Sequence, residues 1–360
     1  MILNFKKIDW LLFFLPILLS AVGLVSIYSS STGEGGLLNF KKQIIFLVSG
    51  IILMILFSFL DWRAIRDNSY LILALYIFSA LALLGLFFFA PFTRGVRGWY
   101  KVGPVSFDPV EVTKIVLIIL LAKYFSKRHV EMYRLRHILL SGFYVLIPSI
   151  LIIRQPDLGS GLIILALWIG ILIISGIRLR HFLVLTLCAL LLVILAWFFF
   201  LEDYQKGRIV SFLAPEIDPQ GASWSQNQSR IAIGSGGILG KGIGEGSQTQ
   251  YGFLPEPHTD FIFAAIAEET GLAGVSILFL LFLLLVWRII KIGSRTGSNF
   301  SRLFASGLAI VIISQVFIHI GMNSAILPVI GISLPLVSYG GSGLIATFIS
   351  LGIVQSTKIH

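Results

Sequence analysis

The segment Leu254-Pro255-Glu256-Pro257-His258-Thr259-Asp260-Phe261-Ile262-Phe263 carries the most concentrated chemistry of the chain, with Glu268 and Glu269 just beyond it. A polar, proline-containing stretch runs into a strongly apolar helix, and a carboxylate stands at the join. Charge in such a place is costly unless it is paired, hydrated or used. Pro255 and Pro257 stiffen the approach and fix the position of Asp260. A carboxylate held this way suits removal of a proton from a hydroxyl. It also suits holding a divalent cation, Mg or Mn, against a diphosphate leaving group. Its plainer role is to cap the following helix, which Thr259 can do as well. On a helix, Glu268 lies about 80° around from Asp260 and Glu269 about 180°. Glu268 is then placed to support Asp260 from below, and Glu269 to face other helices.

Further polar groups recur in short clusters. Arg94, Arg97 and Lys101 surround Trp99 and Tyr100; this is either an interfacial anchor or a site for phosphate. Glu111 and Lys114, three apart after the helix-starting Pro109, can pair, and a purely structural ion pair is the competing reading. Asp157 sits in a tight turn, where capping the next helix is the simpler role. Arg208 and then Gln228-Ser229 precede a glycine-rich run, Ile233–Gly242. That run is not a nucleotide loop, because the phosphate-loop spacing needs Gly at 235 and Ser or Thr at 242, where Ser235 and Gly242 stand. Flexible backbone able to approach a lipid headgroup is the alternative. Leu303–Thr357 holds no Asp, Glu, Lys or Arg, yet contains His319, Asn323 and the turn Pro335–Ser342 with Ser338 and Tyr339. No His/Cys/Asp cluster has metal-ligand spacing, and no Gly-x-Ser-x-Gly elbow occurs.

The elements that must position these groups are membrane helices. Of 360 residues, 57% are hydrophobic and 12% charged, about half the charge of a soluble chain. The apolar runs are continuous rather than alternating, which predicts an all-α polytopic membrane protein in a single domain, 1–360. Ten spans are expected near 8–28, 43–60, 70–90, 110–125, 138–153, 159–175, 182–201, 261–287, 303–322 and 343–355. The fourth is weakened by Glu111 and Lys114. No cleavable leader is expected, since the first run is long and lacks a small-x-small site. With the N-terminus inside, 16 of the 27 basic residues fall in inner loops, four in the long segment 202–260 and seven elsewhere outside. Both termini are therefore expected in the cytoplasm, and 202–260, between spans seven and eight, outside. The net charge of +10 is a topology signal with some affinity for membrane lipid, and nucleic acid is excluded. The single cysteine, Cys188, excludes an internal disulfide.

These residues resemble the SEDS family (shape, elongation, division and sporulation), most closely its RodA branch. The resemblance covers essentially the whole chain. It runs through Arg94-Gly-Val-Arg97-Gly-Trp99, Glu111-x-x-Lys114, Gln155-Pro-Asp157-Leu-Gly159, Gln228-Ser229-x-Ile231 and the glycine run to Gly237. It continues through His258-Thr-Asp260-Phe-Ile-Phe263, Ala267-Glu-Glu269 and Ser338-Tyr-Gly-Gly-Ser342. Departures are Asp108-Pro109-Val110-Glu111, where the family usually has Gln-Pro-Ser-Glu, and Ser333, where Pro is common.

The resemblance implies a peptidoglycan glycosyltransferase of the bacterial cytoplasmic membrane. Its substrate would be lipid II, a disaccharide-pentapeptide on undecaprenyl diphosphate, polymerised at the outer face for elongation and shape. The family's essential Asp falls on Asp260, which would activate the acceptor hydroxyl for inverting attack. Arg94, Arg97, Lys101 and Lys114 would neutralise the leaving diphosphate, with Glu111, Asp157, Arg208, Gln228, Ser229, His258, Thr259, Ser338 and Tyr339 as further substrate-binding candidates. By their own placement in the sequence, Glu268, His319 and Asn323 are expected to support the site. The implied partner is a class B penicillin-binding protein that cross-links the strands. The alternatives are a lipid II flippase, a division or sporulation paralogue of FtsW or SpoVE type, and a non-catalytic scaffold. A flippase needs polar groups along a path through the bilayer, whereas here they crowd outside.

Overall fold

The computed structural model describes residues 7–33, 36–91, 98–103, 105–127, 135–199, 203–214 and 223–359. Its elements in order are α1 (Trp10–Gly33), α2 (Leu38–Phe59), α3 (Trp62–Asp67), α4 (Ser69–Phe89), the strands β1 (Tyr100–Val102) and β2 (Val105–Phe107), and α5 (Pro109–Ser126). There follow α6 (Leu135–Arg154), α7 (Leu158–Ile174), α8 (Leu179–Phe199), α9 (Asp203–Leu213), α10 (Trp224–Ser235), α11 (Ser247–Gln250), α12 (Ile262–Arg295), α13 (Asn299–Asn323) and α14 (Gly341–Ile359). Every expected span is a helix. Among the described residues, seven of them, α1, α2, α4, α6, α12, α13 and α14, are long and apolar enough to cross a membrane by length and composition. Of the other expected spans, α5 carries Glu111, Lys114 and Lys123, α7 has 17 residues, and α8, as long as α4, carries Arg180 alone as a charged residue.

The fourth span, α5, tolerates its charges because it runs through the centre. Leu117, Ile118, Leu121, Ala122 and Phe125 are essentially inaccessible. Small residues let neighbouring helices approach where lipid supplies no hydrophobic drive. A Cβ on Gly50 of α2 would lie 2.8 Å from the Phe348 ring of α14, and one on Gly352 would lie 2.7 Å from the Met54 carbonyl oxygen. By contrast α8 shows Leu183, Leu187, Leu190 and Ile194 outward, as a lipid-facing helix does.

One end of the bundle is closed by Asp9. Its carboxylate is fully buried and accepts from Arg288 Nε at 2.8 Å, Lys358 Nζ at 2.8 Å and the Leu12 N–H at 3.1 Å. Burial acts to raise the Asp9 pKa, but these hydrogen bonds outweigh it and bring the group to about 2. The start of α1, the far end of α12 and the end of α14 thus meet on one side, the side the basic residues mark as cytoplasmic.

The all-α architecture holds, with one local addition, the antiparallel β1–β2 pair with Lys101 opposite Ser106. One expectation is corrected. The glycine-rich run, expected to be flexible, is docked backbone to backbone on a break in α12. At Gly271 (φ 63, ψ −163) the helix interrupts. The Glu268 and Glu269 carbonyls accept from the Lys241 and Gly242 N–H groups, each at 3.0 Å, in place of Leu272 and Ala273. Those two N–H groups donate instead to the Gly237 and Ile238 carbonyls, at 2.9 and 3.0 Å. These two helical bonds lost at the break are replaced by bonds to the strap, in keeping with the cost of unpaired buried backbone.

Candidate active site

Asp260 ends a strap that is gripped from several elements. Leu254 and Phe261, with Ala232, Ala264 and Ala265, form a small buried cluster that seats the strap on α10. The Thr259 carbonyl accepts from Ser338 Oγ at 2.8 Å, and the His258 carbonyl from the Tyr339 N–H at 2.8 Å. Ser338 Oγ in turn accepts from the Leu334 N–H at 2.9 Å. Gln43 of α2 spans the same turn, donating to the Ser338 carbonyl and accepting from the Gly340 N–H, both at 3.2 Å. The His258 and Tyr339 rings meet edge to face at 5.8 Å, and His258 Nε2 lies 3.4 Å from Asn39 Nδ2 and 3.8 Å from Glu256. Glu256 and Leu336 both adopt left-handed backbone, at φ 45 and 67. That geometry persists only where surrounding contacts over-determine it.

Capping of α12 falls one residue past Asp260, at Phe261, whose side chain makes no cap bond. The Ala264 N–H is taken at 3.2 Å by Asn323 Oδ1, from the end of α13. Asn323 Nδ2 donates to the Asp260 carbonyl at 2.9 Å and to the His319 carbonyl at 2.8 Å. The Asp260 carboxylate itself is half-buried. A Cβ on Gly331, where φ is +69, would lie 3.7 Å from Asp260 Oδ2.

A second polar group borders the same turn. Asp108 accepts from the Val110 N–H at 2.9 Å to start α5, and Asp157 from the Ser160 N–H at 3.0 Å to start α7. Burial, then the Glu111 and Asp157 carboxylates, push the Asp108 carboxyl up to about 8, and burial raises Asp157 as well. Lys114 Nζ is 2.7 Å from Glu111 Oε1, with side chains 4% and 15% exposed. The turn 331–343 links the two groups. Gly331 lies beside Asp260, Ile332 packs where a Cβ on Gly159 of α7 would sit, and a Cβ on Gly343 would lie 3.6 Å from the Glu111 carboxyl carbon. Ser342 Oγ accepts the Asp108 N–H at 2.9 Å.

The remaining expected residues divide. Arg94 and Arg97 lie outside the described residues. Lys101 is exposed on β1, and Arg208 is on α9. Gln228 is mostly buried. Ser229, expected to bind substrate, is inaccessible, and its hydroxyl donates to the Asn323 carbonyl at 2.8 Å. Glu268, expected beneath Asp260, instead holds the loop. Its buried carboxylate accepts from Lys241 Nζ at 2.9 Å, the Gln248 and Thr249 N–H groups at 2.9 and 3.1 Å, and Thr249 Oγ1 at 2.9 Å. Glu269 faces α1 through Ser29 and accepts the Gly244 N–H at 3.2 Å. Among the described residues no three His, Cys, Asp or Glu come close enough to hold a metal ion, so a divalent cation at Asp260 needs donors beyond them. Gln43 and Asn39 were not anticipated; the available signal was a polar side chain opening an otherwise apolar span.

A family model covering FtsW, RodA and SpoVE, described as "Cell cycle protein", matches residues 9–360. The peptidoglycan glycosyltransferase MrdB of Escherichia coli strain K12 is 41% identical over 286 residues, 79% of this chain and 77% of that protein. Among solved structures, a chain of a peptidoglycan synthase complex superposes with a TM-score of 0.83 at 32% identity, covering 98% of both chains. The rod shape determining protein RodA of Thermus thermophilus gives a TM-score of 0.73 at 30% identity, covering 99% of this chain and 98% of that one.

Proposed function

The chain belongs to the FtsW/RodA/SpoVE family, and from that premise we propose that it polymerises lipid II into glycan strands with Asp260 as general base. It is a peptidoglycan glycosyltransferase and a multi-pass protein of the bacterial inner membrane. The acceptor hydroxyl gives its proton to the Asp260 carboxylate as its oxygen bonds to the anomeric carbon of the donor. The bond from that carbon to the diphosphate oxygen breaks with inversion, and the lipid diphosphate leaves with the electron pair. Positive groups near the leaving oxygens, with Arg94, Arg97 and Lys101 as candidates, stabilise the developing charge. Lys114, nearly inaccessible beneath Glu111, acts by holding that carboxylate.

The observation that carries this reading is the fixing of main chain around one carboxylate at the outer end of α12, by Ser338 at Thr259 and by Asn323 at Asp260. A base must be held near its productive geometry to be effective. We assign the chain to the elongation and shape branch, in keeping with its similarity to the Thermus protein. Its partner is a class B penicillin-binding protein, in keeping with its similarity to a chain from a synthase complex.

The test is purified protein with lipid II and a divalent cation, assayed for polymer on a gel. Asp260→Asn keeps the size of the side chain and removes the proton acceptor. It should lower polymerisation by about 10²-fold or more while the protein stays folded. Near-parental polymer from Asp260→Asn would overturn the assignment of the base. Absence of polymer from the parent, with lipid II translocation in vesicles, would favour a flippase.

A further inference from the structure

We infer that His319 and Asn323 are a positioning pair that sets Asp260 against the main chain of Gly331–Ile332. The inference rests on the reading of Asp260 as the base. The two residues lie one helical turn apart on α13 and are both inaccessible, in a stretch with no charged residue. Polar side chains in such surroundings are costly unless bonded.

Asn323 is bonded through every part. Its oxygen holds the Ala264 N–H in the first turn of α12, its nitrogen holds the Asp260 and His319 carbonyls, and its own carbonyl is held by Ser229 of α10. His319 reaches the opposite wall, with Nδ1 2.6 Å from the Ile332 carbonyl oxygen. A carbonyl only accepts, so Nδ1 carries the proton and Nε2 the lone pair. Nε2 is buried with no partner among the described residues. An apolar side chain would avoid that cost, so the Ile332 bond is what an imidazole contributes here. Ile332 follows Gly331, whose backbone passes beside Asp260 Oδ2. The pair therefore grips main chain on both sides of the carboxylate, at the Asp260 carbonyl and at Ile332. Neither side chain is exposed to substrate, so both act through Asp260.

The experiment measures kcat and KM for lipid II polymerisation in His319→Leu, His319→Asn and Asn323→Ala, beside Asp260→Asn. Displacement of a reacting group by an ångström costs about 10²-fold. His319→Leu and Asn323→Ala should each lose about 10- to 100-fold in kcat, with KM within about 3-fold of the parent. His319→Asn offers an amide nitrogen near the position of Nδ1 and should recover most of the rate lost in His319→Leu. A folded His319→Leu or Asn323→Ala at parental kcat would overturn the inference, as would a His319→Asn no better than His319→Leu. Misfolding of both His319→Leu and Asn323→Ala would assign the pair to packing and overturn it too. An active Asp260→Asn sinks the reading of the base, whereas an inactive Asp260→Asn beside unaffected α13 variants sinks only this inference.

Discussion

Gly240 and Gly271 meet back to back where the glycine-rich strap crosses the break in α12. A Cβ on Gly271 would lie 2.6 Å from the Ile238 carbonyl oxygen, and one on Gly240 would lie 2.6 Å from the Thr270 nitrogen. Both residues have positive φ, 80 at Gly240 and 63 at Gly271. The strap is thus a structural part of the helix it crosses, and Gly240 and Gly271 are there for close approach.

Gly271→Ala and Gly240→Ala should each destabilise by about 2 kcal/mol or more, combining backbone strain with displacement of paired backbone. Gly244→Ala is the control. It has φ 83 and nothing within 4 Å of an added Cβ, so only strain of about 1 kcal/mol applies. Melting temperatures in detergent rank the three, and equal shifts for Gly244→Ala and Gly271→Ala would contradict the docked strap.

Glu111 and Lys114 form a nearly inaccessible pair, and removing one partner leaves the other charge unpaired. Lys114→Met should therefore destabilise by about 3–5 kcal/mol. The swap Glu111→Lys with Lys114→Glu should keep the fold and lose most polymerisation, because the carboxylate beside Gly343 is gone. A swap that unfolds the protein while both neutral single variants stay folded and active would contradict the pairing.

The Asp9 carboxyl has an ordinary pKa of 3.8 and about 2 in the folded protein. A depressed pKa contributes stability above the ordinary value and loses it as pH falls through the folded one. The contribution is about 2 kcal/mol, present above pH 4 and lost between about pH 4 and pH 2. Asp9→Asn should lower the melting temperature at neutral pH and flatten the parental decline across that acid window. Parallel pH curves for parent and variant would count against the Asp9–Arg288–Lys358 junction.

Orientation can be read with one thiol. In a Cys188→Ala background, Glu245→Cys places a thiol at an exposed position of the strap. An impermeant thiol reagent should label it in intact cells once the outer membrane, where there is one, is permeabilised. Labelling only after the inner membrane is broken would invert the topology.

The sequence by itself determined the solvent of this protein and gave an expected orientation. Lipid offers no hydrogen bonds, so each span must satisfy its backbone locally, and continuous apolar runs therefore mark the helices one by one. Basic residues mark the inner side by the same local logic. Asp260 stands out as a candidate for a related reason, since a carboxylate between a proline-stiffened strap and an apolar helix is conspicuous from the chain alone. Which partner each polar group takes was not legible. Glu268 turned to Lys241 and Thr249, Ser229 went beneath Asn323, and Gln43 closed the turn at Ser338. The glycine run read as freedom because glycine composition reports backbone permissiveness; whether that permissiveness becomes motion or close contact depends on what is packed against it. Only the tertiary structure decided these pairings, because hydrogen bonds between residues far apart in the chain leave no periodicity in either segment.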